Sequence, residues 1–509
     1  MRYTSQYKQL SLDLFKSSFD DLDKHNRWVA LADIMPWAEI ERLYNSRLEN
    51  QYMGAGNKPA RMIIGACIIK HKFNLSDEET IEMIRENPYM QYLCGLTEFT
   101  DIPIFDPSLF VTIRKRISID EINEMTNALL KKQEETNDKQ QNSNNEESRG
   151  DNTNQSSFKS DEDSEFVDSK GEMHKGILKM DATCADAEVR YPVDVDIIHD
   201  GCKVVDRYVA HICKVLSIGR IKTSYKDVRR WYLELVKRKK KGGKFVRETI
   251  ACMLASLQKD LRRITELFVE HTMSKELLMP HEQRILSAVF DMYYQQHTMF
   301  ATGVHAIPNR IVSIFQPHIR PIVRGKAKAK VEFGAKIGVA ICEGYAFIDH
   351  HSWEAYNESA DLKLHIQKYK ERFGFLPAVI LADKIYMNKE NRKYLKEQEI
   401  KTYCKPLGRP PKQQDPQILA KMAKAVGERN EVECSFGTGK RIYRANNIRA
   451  KLPNTAKCWT GMCYFVKNVM KFLRELCLYF YQRLLLFLCY MADKAYLCFL
   501  FNLKLKLFQ

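Results

Sequence analysis

No Cys-x2-Cys pair occurs in this 509-residue chain, although it holds 14 cysteines. The nearest spacing, Cys458-x4-Cys463, has no second pair beside it, which argues against a structural zinc site. The cysteines are scattered through apolar runs, as reduced core residues in a reducing cytosol would be. No internal repeat and no nucleotide-binding glycine loop is visible. The opening stretch, MRYTSQYKQLSLDLF, lacks the long apolar core of a signal peptide. Apolar residues crowd the last segment, but Arg483, Asp493 and Lys494 interrupt them. No uncharged run there approaches the length of a membrane span.

What the chain does carry is positive charge. The net charge is +16 and the isoelectric point is near 9.1. An anionic partner follows, nucleic acid first and a membrane surface second. A merely basic soluble protein is the bland alternative. The length implies two to four domains, and 45% hydrophobic residues suffice for a sizeable core.

Residues 1–130 read as an all-helical domain. Ser76 with Glu79 and Ser118 with Glu121 are capping-box pairs, each opening a helix. Between them DPSLFVTIRKRIS carries Arg114, Lys115 and Arg116, candidates for DNA contact. Helical packing or oligomerisation is the other reading of this domain. Residues 131–172 are nearly free of apolar side chains and hold 12 acidic and 6 basic residues. Such a segment cannot bury enough surface to fold and reads as a disordered linker. Residues 173–470 form the presumed catalytic part, with a helical insertion over 201–305. Its order is β, helical insert, β, β, α, β, α, β, α, which fits an α/β fold with a mixed sheet. RIVSIF, KVEFGAKIGVAIC and GYAFIDHHSW are its period-two runs. The lysines of KRKKKGGK, Lys237 to Lys244, either meet phosphates or form a solvated hairpin tip.

Three acids stand out. The apolar run Ala378 to Ala382 ends at Asp383 and is followed by an amphipathic segment. The same form appears in GILKMDATCAD, where Ile177, Leu178 and Met180 lead to Asp181. Strand ends expose polar groups beside a rigid core. Glu433 lies in a helix-like setting, with Arg429 four residues before it and Lys440 seven after, all on one helical face. Gly437 and Gly439 are expected to end that helix before Lys440. Two strand-end aspartates and a helical glutamate suit two-metal phosphoryl transfer, because hard divalent cations take oxygen ligands. Ordinary salt pairs on an exposed helix are the plain alternative for Glu433. Asp186, Asp194 and Asp196 rival Asp181, but none directly follows an apolar run. His350 and His351 are read as structural, since Mg²⁺ rarely takes imidazole. Arg320, Arg324, Lys326, Lys328 and Lys330 form a basic arm, a candidate for contact with the DNA backbone, and Trp353 is read as core rather than a stacking platform.

Several blocks together resemble the insertion-sequence DDE transposases with an InsH-type N-terminal domain, most like the IS-eleven-eighty-two type. They are FDPSLFVTIRKRI, KMDATCADAEVRYPVDV, RIVSIFQPHIRPIVRGKAKAKVEFGAKIGVAI, ILADKIYMNKENRKYLKEQEIK with LGRPPK, and RNEVECSFGTGKRIYRANNIRAKL. The resemblance covers roughly residues 20–470 apart from the linker. It implies an RNase H-like fold interrupted by a helical insertion and a catalytic triad on Asp181, Asp383 and Glu433. It also implies two Mg²⁺ ions, with Mn²⁺ as a substitute, and DNA as partner: the terminal inverted repeats and a target. A homodimer or higher oligomer on that DNA and a cytoplasmic, nucleoid-associated bacterial protein are expected with it, without membrane attachment. The family's Y-(2)-R-(3)-E-(6)-K signature matches Arg429, Glu433 and Lys440, while Val426 holds the tyrosine position. Residues 471–509 fall outside the resemblance and form an apolar tail. The rival readings are a catalytically inactive, transposase-derived DNA-binding protein and a nuclease that cuts without joining.

Overall fold

The computed structural model describes residues 19–46, 56–144, 165–271, 277–323, 331–404 and 416–476. Seven helices come first: α1 (Arg27–Ile34), α2 (Trp37–Asn45), α3 (Ala60–Phe73), α4 (Asp77–Glu86), α5 (Pro88–Leu93), α6 (Leu109–Arg116) and α7 (Ile119–Asn144). Both capping boxes form. Ser76 Oγ accepts from the Glu79 amide and Glu79 returns to the Ser76 amide; Ser118 and Glu121 do the same.

Helix α7 runs through Asn144, so the expected linker of 131–172 is not structureless at its start. Glu, Lys and Gln are good helix formers, and extending an existing helix is far easier than nucleating one. At its other end the segment enters a hairpin of β1 (Glu165–Val167) and β2 (Met173–Lys175). Residues 145–164 of that expectation lie outside the described residues.

The main sheet has six strands: β3 (Ile177–Asp186), β4 (Arg320–Val323), β5 (Val331–Cys342), β6 (Tyr345–Ser352), β7 (Val379–Ala382) and β8 (Lys401–Thr402). Strand β5 lies antiparallel to β3, and its free edge carries β4 and then β6. On the other side of β3, β7 and β8 run parallel to it. Parallel neighbours need a crossover, which α12 (Leu362–Phe373) and α13 (Lys389–Glu397) supply. All four residues of β7 are buried, as suits a strand covered on both faces. The run RIVSIF is not a strand: Ile311 and Ile314 join the core of the insertion, and the pairing stretch is Arg320–Val323.

The insertion begins earlier than expected, at α8 (Asp194–Val215), where Asp194 and Asp196 sit favourably in the first turn. It continues through α9 (Tyr225–Lys237), α10 (Gly243–Glu270) and α11 (Pro280–Thr302) around a core of its own. Helix α14 (Pro416–Arg441) then crosses the sheet, and a last helix, α15, covers 453–476. The tail beyond 476 lies outside the described residues.

A second core joins the first seven helices, the sheet and α15. Two asparagines close the seam. Asn123 of α7 accepts from the Ile348 amide and donates to its carbonyl, at 3.1 and 2.8 Å. Asn468 of α15 does the same for Ala346, at 3.0 and 2.7 Å. Both side chains thereby complete the open edge of β6, whose backbone groups are buried away from water. Asn468→Ala should cost about 2–4 kcal/mol, because it strands a buried donor and acceptor at once. Chemical denaturation of the variant beside the parent checks this; an unchanged midpoint contradicts it.

Candidate active site

Asp181 lies within β3, and Asp383 directly follows β7. The parallel register pairs Met180 with Ala382, so the two aspartates are the next residues along adjacent strands and share a face. That face is set by alternation. Val379 and Leu381 pack with Ala425 of α14, whereas Ile380 and Ala382 join the larger core with Leu362 and Ile366 of α12. Lys179, two residues before Asp181, reaches Glu431 of α14 at 2.5 Å. Asp181 and Asp383 therefore share the sheet face crossed by α14.

Helix α14 brings the third acid. It does not stop at Gly437 or Gly439 but runs through Arg441. Gly439 is buried against Tyr464, where an added Cβ would sit in ordinary contact 3.4 Å from the ring. Arg429 bridges the acids, at 3.6 Å from Asp383 and 3.5 Å from Glu433. Asp383 and Glu433 are open, at 54% and 61% exposure. The three acids do not converge on one point. Among the described residues only Cys184, Asp186 and Glu332 place three ligand atoms within 4.8 Å of one another. The acids are instead spread along a shallow rim, with a guanidinium between two of them.

Asp181 is the electrostatically stressed member. Burial pushes its carboxyl up to about 6; the Glu358 and Asp383 charges add to the rise, while the Ala182 amide and Arg429 oppose it. Asp383 accepts from the Lys384 amide at 2.7 Å and caps a short 3₁₀ turn, Lys384–Tyr386.

The rival aspartates lie elsewhere. Asp194 pairs with Arg310 at 2.7 Å, and Asp196 accepts from the Tyr232 hydroxyl at 2.9 Å. Asp186 lies 3.5 Å from Cys184 Sγ. His350 bonds Asp361 at 2.9 Å, and His351 is a buried ring held down to about 3 by burial, packed edge-on to Trp353. Trp353 is a packing residue, as read.

The basic candidates separate sharply. Arg114 makes a bidentate pair with Asp77, at 2.8 and 2.9 Å, over the ring of Trp459. Arg116 contacts Tyr44 and Asn57. Both are engaged within the protein by partners from distant sequence, which a local basic run conceals. Lys115 between them is exposed. Arg320 donates to the Pro317 and Ile319 carbonyls at the base of β4, a local role rather than an open one. Arg324, Lys326, Lys328 and Lys330 lie outside the described residues. Lys440 lies on α14 and is half-buried, and Val426 is exposed. Lys237 to Lys244 are exposed and run from the end of α9 across 238–242 into the start of α10. Glu358, whose charge adds to the rise at Asp181, sits in a polar turn with no apolar run to mark it.

Two family models match the chain. "Transposase domain (DUF772)" matches residues 17–116, and "Transposase DDE domain" matches residues 380–470. The second match holds Asp383, Arg429 and Glu433. A curated relative, "Uncharacterized protein ORF8 in nfe locus" of Rhizobium meliloti, is 32% identical over 117 residues. That stretch is 23% of this chain and 56% of the relative, so the chain spans little more than half of the relative's length. No solved structure matches. Together the two models support an insertion-sequence DDE transposase, a family that acts on DNA and uses divalent metal. Among the described residues no helix is long and apolar enough to cross a membrane.

The raised Asp181 carboxyl has a measurable consequence without metal. Its folded pKa lies above the unfolded value of 3.8, so the native state binds the proton more tightly. Its contribution to stability is complete below about pH 4 and is lost as pH rises towards 6. In EDTA, Asp181→Asn should melt close to the parent near pH 4 and above it at about pH 7.5, by on the order of 2 kcal/mol in stability. A gap independent of pH refutes the assignment.

Proposed function

We propose that the chain is an active DDE transposase of the IS-eleven-eighty-two type with an InsH-type N-terminal domain. It binds the terminal inverted repeats of its element, brings them together as an oligomer, and cuts and joins DNA. The observation that carries the reading is the β3–β7 pairing, which sets Asp181 beside Asp383 on the face crossed by Arg429 and Glu433. The strand order β6-β5-β3-β7-β8, with only β5 antiparallel to β3 and β6, supports an RNase H-like catalytic sheet.

Asp181, Asp383 and Glu433 fit hard divalent cations, because all three offer carboxylate oxygens and crowding of like charge already burdens Asp181. They would hold two Mg²⁺, or Mn²⁺. When bound, such ions activate the attacking water or 3′-hydroxyl and stabilise the attacking and leaving oxygens. The chain's own residues do the rest. Arg429 neutralises the rim and is placed to swing from Asp383 towards a scissile phosphate, which it would grip through two parallel N–H groups. Exposure of Asp383 and Glu433 leaves that rim open to a strand of DNA. Lys440, Lys115 and the exposed stretch Lys237 to Lys244 supply backbone contacts, which position DNA without reading its sequence.

The rival is an inactive, transposase-derived DNA-binding protein. Retention of all three acids and of Arg429 supports the enzyme. The test is cleavage and strand transfer on DNA bearing the element's own ends, with Mg²⁺ or Mn²⁺ against EDTA. Joined product should require metal and should fall at least about a thousandfold in Asp383→Asn, with end binding retained. Tight end binding without metal-dependent cutting establishes the rival, and cutting without joining establishes a nuclease.

A further inference from the structure

We propose that a cleft at the seam between the first helical region and the segment after α14 holds a backbone phosphate of duplex DNA, gripped by Arg444 and Arg449. The inference rests on the reading above that DNA is the partner, and it uses no residue of the acid-bearing rim.

Segments far apart in sequence build this cleft. The end of α3 gives Lys70 and Asn74, the turn after α14 gives Arg444, Asn447 and Arg449, and α15 gives Trp459. Counted out to open solvent, the cleft has a volume of about 250 Å³. Its two walls are tied to each other and to the sheet. Asn74 Nδ2 donates to the Ile442 carbonyl at 3.1 Å, which joins the end of α3 to the turn after α14. Ile448, between Asn447 and Arg449, donates its amide to the Asp186 carbonyl at 2.9 Å and accepts from the Glu188 amide at 3.0 Å. The turn that carries both arginines is therefore pinned by its backbone to the exit of β3, and their side chains are left over for another task.

Positive charge gathers here without acids to match it. On the floor, the Asp77 carboxylate is shared by two cations, Lys70 at 2.9 Å and Arg114 at 2.8 Å, so one positive charge is left over. The Lys70 side chain is 3% exposed and that of Arg114 11%, so water and salt screen the surplus poorly. At the mouth, Arg444 and Arg449 are exposed, and neither guanidinium makes a hydrogen bond or ion pair among the described residues. Glu79 stands near Arg449, but its carboxylate accepts from the Ser76 amide at 2.7 Å. Asn447, half-buried between the arginines in sequence, offers a side-chain amide to the same cleft. Cations that served only the negative end of α14 would sit in its last turn, whereas Arg449 lies eight residues past Arg441. Guanidinium forks around one cleft match the oxygens of a phosphate. DNA fits better than a free anion because α14 links the cleft to the acids. From Glu433 to Arg441 the helix advances about 12 Å. A strand that follows α14 from the rim reaches the cleft within about four nucleotides.

The test is fluorescence anisotropy of the full-length protein in EDTA across a salt series. Two labelled duplexes serve as probes, one bearing the element's own end and one of shuffled sequence. The double variant Arg444→Gln, Arg449→Gln should bind both duplexes at least about tenfold more weakly, and the slope of log affinity against log salt should become shallower by about 1, the share of one phosphate. Its DNA-free melting temperature should stay at that of the parent, because removing unpaired cations strands no partner. The double variant Arg444→Lys, Arg449→Lys keeps the charge but loses the forks, and its affinity should fall between the two. This second variant covers the case in which the glutamine variant is destabilised. Parental affinity and slope in the glutamine variant overturn the cleft and leave DNA standing as the partner. A lowered DNA-free melting temperature in both variants, with duplex affinity unchanged, overturns it by showing a purely structural role. Stabilisation of the parent alone by inorganic phosphate, with equal duplex binding by parent and glutamine variant, assigns the cleft to a free anion and overturns it as well. Failure of the parent to bind either duplex removes the DNA reading itself, and the inference with it.

Discussion

The structure depends on one electrostatic constraint: like charges are held together where β7 ends beside β3. Pairing β3 with β7 is driven by apolar side chains on both faces, and it carries Asp181 and Asp383 along as passengers. Core burial thus supplies the free energy that keeps two carboxylates close. The surroundings relieve the strain only in part. Arg429 stands between Asp383 and Glu433, and Lys336 stands against Glu358, but Asp181 itself has no ion-pair partner within 4 Å among the described residues. A site left short of positive charge in this way carries a repulsion already present in the folded chain.

Precision at such a site requires that the strands cannot slide. A slip of one residue would turn Asp181 to the opposite face. The edge of β6 is where sliding or mispairing could begin, and Asn123 and Asn468 occupy it from two helices far apart in sequence. The same core runs from α1 to α15, so the first helical region buttresses the main sheet. Arg114 and Arg116 belong to that buttress. Their charges face Asp77, Tyr44 and Asn57, which leaves Lys115 as the outward cation of α6.

What the sequence made legible was whatever depends on neighbours in the chain. Capping boxes are local hydrogen bonds, so Ser76 and Ser118 announced their helices. The apolar run into Asp383 announced a buried strand with a polar end. What escaped depends on partners brought in by folding. The two glycines near the end of α14 look like stops, yet the helix runs on through Arg441. The basic run of α6 gives no sign that Asp77 lies across from Arg114. Glu358 is silent because its position comes from Asn391 and Gly338, neither of which is near it in sequence.

The insertion shows how a site built from distant segments tolerates a long excursion. Between Asp181 and the strand that pairs with it lie four helices, yet their core is separate from that of the sheet. Departure and return are tied at one place. Arg310 and Gln296 both bind Asp194, at 2.7 and 3.1 Å, and Gln316 donates to the Glu188 carbonyl at 3.3 Å. The Ala187 amide donates to Phe333, and the Glu188 amide to Ile448, so the exit of β3 is locked to β5 and to the segment after α14. Loop-closure cost rises only slowly with length, and a folded insertion with joined ends removes most of what remains. The sheet therefore sees a short fixed bridge between β3 and β5, and the spacing of Asp181 from Asp383 is set by strand pairing alone. The insertion is thereby free to carry its exposed lysines on a surface of its own without perturbing the acids.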